Sequence, residues 1–179
     1  MSEALVIGYG NELRGDDAAG PRVAAAVEQW QLPGVRVLIL HQLTPELADP
    51  IASSGLVIFV DAALEAEGGV KVERMGGNPK SEIRNPKEIR SPKSETEERE
   101  PGVRKSKGGQ AGGGSFAMAH ATSPEGLLDL ASELFGRCPP GWVVSIPARD
   151  FEFGETLSPL AAQGVAEALR RIRELLSLK

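Results

Sequence analysis

The sequence predicts an α/β protein, a three-layer α/β/α sandwich around a mostly parallel sheet. Three observations carry this. Five short aliphatic and β-branched runs read as buried strands: Ala4–Ile7, Val35–Leu40, Leu56–Val60, Val70–Arg74 and Trp142–Ile146. Helical patterns alternate with them. Three of the four helical patterns open with Ser or Thr followed by Pro, where the hydroxyl caps a free amide and Pro presets φ.

The elements follow in order. Ala4–Ile7 runs into a Gly8-Tyr-Gly-Asn11 loop. Pro21–Trp30 then sets Val23, Val27 and Trp30 on one helical face. Val35–Leu40 ends at His41, and Thr44 is the expected N-cap of a helix over Pro45–Ser53. Leu56-Val-Ile-Phe-Val60 ends at Asp61. Ser123-Pro124 opens a helix whose Leu127, Leu128, Leu130 and Ala131 recur until Gly136 stops it. After the Trp142–Ile146 strand, Ser158-Pro159 opens a helix with Val165, Leu169, Ile172, Leu175 and Leu176 at helical spacing, through Leu178.

Residues 76–114 stand apart. The segment holds eight glycines, its only large aliphatics are Ile83, Ile89 and Val103, and it repeats Asn-Pro-Lys and Ser-Pro-Lys units. Such a segment has too little apolar surface to offset its ordering entropy. We read one domain over residues 1–179 with a low-complexity insertion, expected to be disordered, at 76–114. A partner-binding arm is the functional alternative. The insertion carries nine basic and six acidic residues, so of the net charge of −5 the remainder holds −8. That excludes a general nucleic-acid binder. A single cysteine, Cys138, excludes an intrachain disulfide and a cysteine-built zinc site. No apolar run is long enough for membrane insertion, and the first strand starts so near Met1 that no leader is expected. The expectation is a soluble protein of a reducing compartment.

Gly8-Tyr9-Gly10 suggests a dinucleotide loop, but Leu13 stands where the third glycine belongs, and Asp16 and Asp17 would repel phosphate. The glycines instead allow a sharp turn and close approach to a ligand or another chain. One carboxylate before a helix is commonly a cap; two are less easily explained that way. Asp61 ends the third strand, where a turn residue is the plain alternative. His120 lies just before the Ser123-Pro124 helix, and a lone histidine is more often structural than a ligand. Together, one imidazole and two carboxylates suit zinc, nickel or iron better than magnesium. No Gly-x-Ser-x-Gly elbow and no His-Glu-x-x-His is present.

Gly8-Tyr-Gly-Asn-Glu-Leu-Arg-Gly-Asp-Asp-Ala-Ala-Gly20 resembles the N-terminal signature of the hydrogenase maturation proteases. Phe59-Val-Asp61-Ala and His120-Ala-Thr-Ser-Pro-Glu-Gly-Leu-Leu128 resemble that family's other two motifs, in the same order. The resemblance implies a twisted five-stranded sheet and an aspartyl-type endopeptidase. It implies removal of the C-terminal extension of a nickel–iron hydrogenase large-subunit precursor after nickel insertion. It places the metal-contacting residues at Asp17, Asp61 and His120, with Asp17 as the catalytic residue. It implies no intrinsic cofactor, the nickel being presented by the substrate. Substrate contacts are expected at Gly10, Asn11 and His41, in a cytoplasmic monomer. Many members have an acidic Asp-Gly-Gly-Thr-like turn where this chain has His41-Gln-Leu-Thr44; the His-Gln-Leu-Thr-Pro-Glu form resembles the branch serving bidirectional NAD(P)-linked hydrogenases. The alternatives are a receiver-like phospho-acceptor signalling domain and an inactive binding paralogue.

Overall fold

The computed structural model describes residues 3–64, 69–75 and 122–177. Strands β1 (Ala4–Tyr9), β2 (Val35–Leu40), β3 (Leu56–Leu64), β4 (Lys71–Met75) and β5 (Gly141–Ala148) form one sheet in the order β2-β1-β3-β5-β4. Every neighbouring pair is parallel except β4–β5. The helices are α1 (Ala19–Glu28), α2 (Ala48–Ser53), α3 (Pro124–Phe135) and α4 (Pro159–Ser177). The expected α/β/α sandwich is the fold observed. The insertion at 76–114 lies outside the described residues.

Strand alternation sorts the core into two layers. Leu5, Ile7, Val57 and Phe59 face one side, where Leu47 and Ile51 from around α2 and Leu127, Leu128 and Leu130 of α3 cover them. Ala4, Val6, Ile58, Val60, Val144 and Ile146 face the other, beneath Val23 and Val27 of α1 and Ala168 and Ile172 of α4. The central strands are buried on both faces, hence their unbroken apolar runs. β4 is antiparallel for a geometric reason. Only residues 65–70 separate it from β3, too few for the crossover that a parallel return requires.

Several boundaries differ from those expected. β1 runs on to Tyr9 because it pairs with β2 as far as Tyr9–Leu40, and β3 runs on to Leu64 because it continues its pairing with β5 from Asp61–Ser145 to Leu64–Ala148. Asp61 is therefore inside β3, at the point where its pairing with β1 has stopped at Gly8–Val60. The first helix begins two residues before Pro21, after a 3-10 turn over Gly15–Ala18, since Pro is tolerated throughout a first helical turn. Pro45–Leu47 is a 3-10 turn ahead of α2. Thr44 does not cap it with its side chain; the Glu46 carboxyl lies below its ordinary range, lowered by the Thr44 hydroxyl and its own backbone amide. Ser123 and Ser158 do cap, accepting from Gly126 N at 3.1 Å and Ala161 N at 3.2 Å.

Candidate functional site

β1 connects to β2 on one side and β2 connects to β3 on the other, so the carboxyl ends of β1 and β3 flank a topological switch point. The loop after β1 enters it sharply. Gly10 has φ +142°, and a side chain there would run into the Asp17 carbonyl, so only glycine lets the loop fold back this closely. The turn brings the Asn11 backbone N–H to Asp17 Oδ2 at 2.7 Å, while Asn11 Oδ1 accepts from Leu13 N at 3.0 Å. Asp17 is half-buried in the 3-10 turn. Gly20 lets α1 start directly over the strand ends: a Cβ there would lie 2.5 Å from Tyr9 O and 2.6 Å from Val60 O.

Asp61 lies across the gap, half-buried, and Oδ1 accepts from Ala62 N at 2.7 Å. Tyr9 lies beside Asp61, one position beyond the Gly8–Val60 pair of β1 and β3. Burial pushes the Asp61 carboxyl up to about 6; the Tyr9 hydroxyl and the bond from Ala62 N oppose this, and the nearby Asp17 charge adds to it. Burial, Asp61 and the charge of Glu125 push the Tyr9 phenol well above its ordinary value. Glu125 belongs to the first turn of α3. Asp17, Asp61, Tyr9 and Glu125 thus share one acidic neighbourhood.

Asp16 faces elsewhere. It is fully buried and accepts four hydrogen bonds: from Arg149 N at 2.9 Å, Asp150 N at 3.0 Å, Ser158 N at 2.6 Å and Ser158 Oγ at 2.8 Å. Burial raises its pKa, but the amides of Arg149, Ser158 and Asp150 and the Ser158 hydroxyl together hold it below its ordinary value. Asp16 caps no helix; it ties the 149–158 loop to the turn that carries Asp17. Further backbone bonds run alongside: Gly15 N to Gly154 O at 2.7 Å, Asp16 N to Asp150 O at 2.7 Å and Gly154 N to Leu13 O at 2.9 Å.

The structure brings together Asp17 and Asp61, with Gly10 and Asn11 shaping the loop between them. His41 is exposed and follows Leu40, whose carbonyl accepts from Gly10 N at 3.1 Å, so it lies on the far side of β1 from Asp61. His120 lies outside the described residues. Among the described residues no group of three His, Cys, Asp or Glu side chains is placed to hold a metal ion. The helix after His120, α3, packs on the same sheet face as Leu5, Ile7 and Phe59, the face that Tyr9 joins. Tyr9 and Glu125 were missed as site residues in the sequence. The signal for Tyr9 was its place between the two motif glycines, one residue past the end of the apolar run.

The fold recurs in solved structures. The hydrogenase maturating endopeptidase HybD from E. coli superposes with a TM-score of 0.60 at 21% identity, over 98% of this chain and 92% of that one. The NiFe hydrogenase maturation protease HybD from Thermococcus kodakarensis gives 0.60 at 19%, over 97% and 98%. The hydrogenase 2 maturation peptidase from a Thaumarchaeota archaeon gives 0.60 at 20%, over 99% of each chain. The chain has the hydrogenase maturation endopeptidase fold. At these identities the likeness is one of architecture, and it agrees with the resemblance carried by the three motifs. No family model matches the chain, and no curated protein matches it. No described helix is long and apolar enough to cross a membrane.

Proposed function

We propose that this chain is an endopeptidase that removes the C-terminal extension from the large-subunit precursor of a nickel–iron hydrogenase once nickel is in place. The observation that carries this reading is the meeting of Asp17 and Asp61 at the switch point of a sheet with the HybD fold. In this reading Asp17, Asp61 and His120 contact nickel already held by the precursor, and Asp17 is the catalytic carboxylate of aspartyl-type chemistry. The enzyme carries no cofactor of its own. Two carboxylates and one imidazole form an incomplete coordination set, and the precursor's own ligands complete it. Gly10, Asn11 and His41, along one edge of the cleft, contact the precursor. The resemblance of the His41-Gln-Leu-Thr-Pro-Glu46 turn to the branch serving bidirectional NAD(P)-linked hydrogenases supports a precursor of that class. The enzyme works as a cytoplasmic monomer.

The receiver-like alternative fits less well. Receiver sheets follow the strand order 2-1-3-4-5, whereas here the order is β2-β1-β3-β5-β4 with an antiparallel edge. The test is to incubate the protein with nickel-loaded and nickel-free precursor and weigh the large subunit. Loss of the extension from the nickel-loaded form alone supports the proposal; equal cleavage of both forms, or of neither, contradicts it.

A further inference from the structure

We infer that the outer edge of β2 docks the precursor, whose C-terminal extension adds to the sheet as an extra strand. The inference rests on the reading of this chain as the endopeptidase that removes that extension. β2 is the outermost strand on its side of the sheet, and among the described residues no strand pairs with its outer edge. Its inner edge is engaged by β1: Gly34 O accepts from Ala4 N at 2.8 Å and Leu40 O accepts from Gly10 N at 3.1 Å. With the register running from Ala4–Val35 to Tyr9–Leu40, the backbone groups of Arg36 and Leu38 also turn inward. Those of Val35, Val37 and Ile39 turn outward. Val35 N donates back to Leu32 O at 3.2 Å. The Val35 carbonyl and both backbone groups of Val37 and Ile39 therefore form a row that faces away from the sheet.

This edge lacks the features that keep open strands from pairing. Of its six residues five are aliphatic, Arg36 is the one charge, and there is neither proline nor bulge. β4, at the opposite edge, has Lys71, Glu73 and Arg74 among five residues. A row of main-chain donors and acceptors recognises an extended polypeptide, and it does so with little regard to sequence. A second copy of this chain is a poor occupant. The strand edge is about 20 Å long and about 10 Å thick, so pairing two copies through it buries on the order of 400 Å², against about 1,200 Å² for a stable complex. The position of the edge favours the precursor. Gly10 N ties the end of β2 to the loop whose Asn11 N–H holds Asp17. A chain laid along β2 thus leaves the strand beside His41, separated from the cleft by β1 alone. Main-chain bonds along β2 hold the tail, and selection is left to the cleft.

The test uses a fluorescent peptide with the sequence of the precursor's C-terminal extension, its binding to the full-length protein followed by anisotropy. Two further peptides carry N-methyl groups on alternate amides, one at odd and one at even positions. In an added strand only every second amide faces β2. One methylated peptide should bind about tenfold or more weakly, and the other within about twofold of the parent. Ile39→Pro removes an outward N–H where an edge strand accepts proline. It should weaken the parent peptide about tenfold, with the melting temperature shifted by less than about 4 °C. For nickel-loaded precursor its KM should rise about tenfold while kcat stays within about twofold. The inference is overturned by no peptide binding to the wild type, by equal binding of both methylated peptides, or by full binding to a folded Ile39→Pro. A wild-type dimer that Ile39→Pro separates would overturn it in favour of a second copy. If Ile39→Pro does not fold, the methylated peptides decide, since they leave the protein unchanged. A wild type that binds in one methylation register but leaves nickel-loaded precursor uncut refutes the protease reading and leaves the docking edge standing.

Discussion

Asp61 carries a cost in the metal-free protein. Its carboxyl, raised to about 6 by burial and then by the nearby Asp17, ionises less readily folded than unfolded. A raised carboxyl pKa means that the folded state binds the proton more tightly. The penalty is therefore full above pH 6 and is relieved as the pH falls from 6 toward the ordinary carboxylate value. Asp61→Asn keeps an acceptor for Ala62 N and removes the charge. It should stabilise the metal-free protein near pH 8 on the order of 1 kcal/mol, after allowing for solvent around a half-buried group. That corresponds to about 2–4 °C in a domain of this size. Melting curves in chelator from pH 8 to pH 5 check it: the advantage of the variant should shrink as the pH falls. A constant or growing advantage would remove the electrostatic explanation.

The turn carrying Asp17 and the 149–158 loop behave as one unit because Asp16 stitches them. Asp16→Asn cannot reproduce this, since both carboxylate oxygens face donors and an amide nitrogen accepts nothing. Leaving buried donors unpaired should cost about 2 kcal/mol or more, lowering the melting temperature by about 4–8 °C. The Asp16 pKa lies below its ordinary value, so its stabilisation is present above about pH 4 and is lost on further acidification. The gap between wild type and variant, measured by thermal unfolding, should be full at pH 6 and close below about pH 4. A variant that melts with wild type at pH 6 would show that the loop is held some other way.

At the same scale the sequence was clearest where periodicity and capping agreed. The Ser123-Pro124 helix has the expected ends, and the Val35–Leu40 strand is residue for residue as read. What local pattern hid was set by pairing partners. Asp61 reads as a strand end because the apolar run stops there, yet β5 draws the strand on to Leu64. Asp16 reads as a helix cap, but its partners lie more than a hundred residues away in sequence. The closeness of Tyr9 and Asp61 likewise arises only once β1 and β3 are side by side.

Over the whole molecule, the described residues build a sheet covered on both faces, with two apolar layers drawn from residues outside 76–114. Deleting Asn78–Lys107 should leave the fold intact, because loop length enters stability only logarithmically. Thermal unfolding should agree with the full chain within about 4 °C, and a fall of about 10 °C or more would show that the segment supplies packing the rest lacks. The central claim is that Asp17, Asp61 and His120 act together on nickel carried by the precursor. The most direct measurement is the mass of the large subunit after nickel-loaded precursor meets wild type, Asp61→Asn or His120→Ala, each variant first shown to melt like a folded protein. The account predicts loss of the C-terminal extension with wild type alone. Full cleavage by either variant, or by wild type on nickel-free precursor, would contradict it.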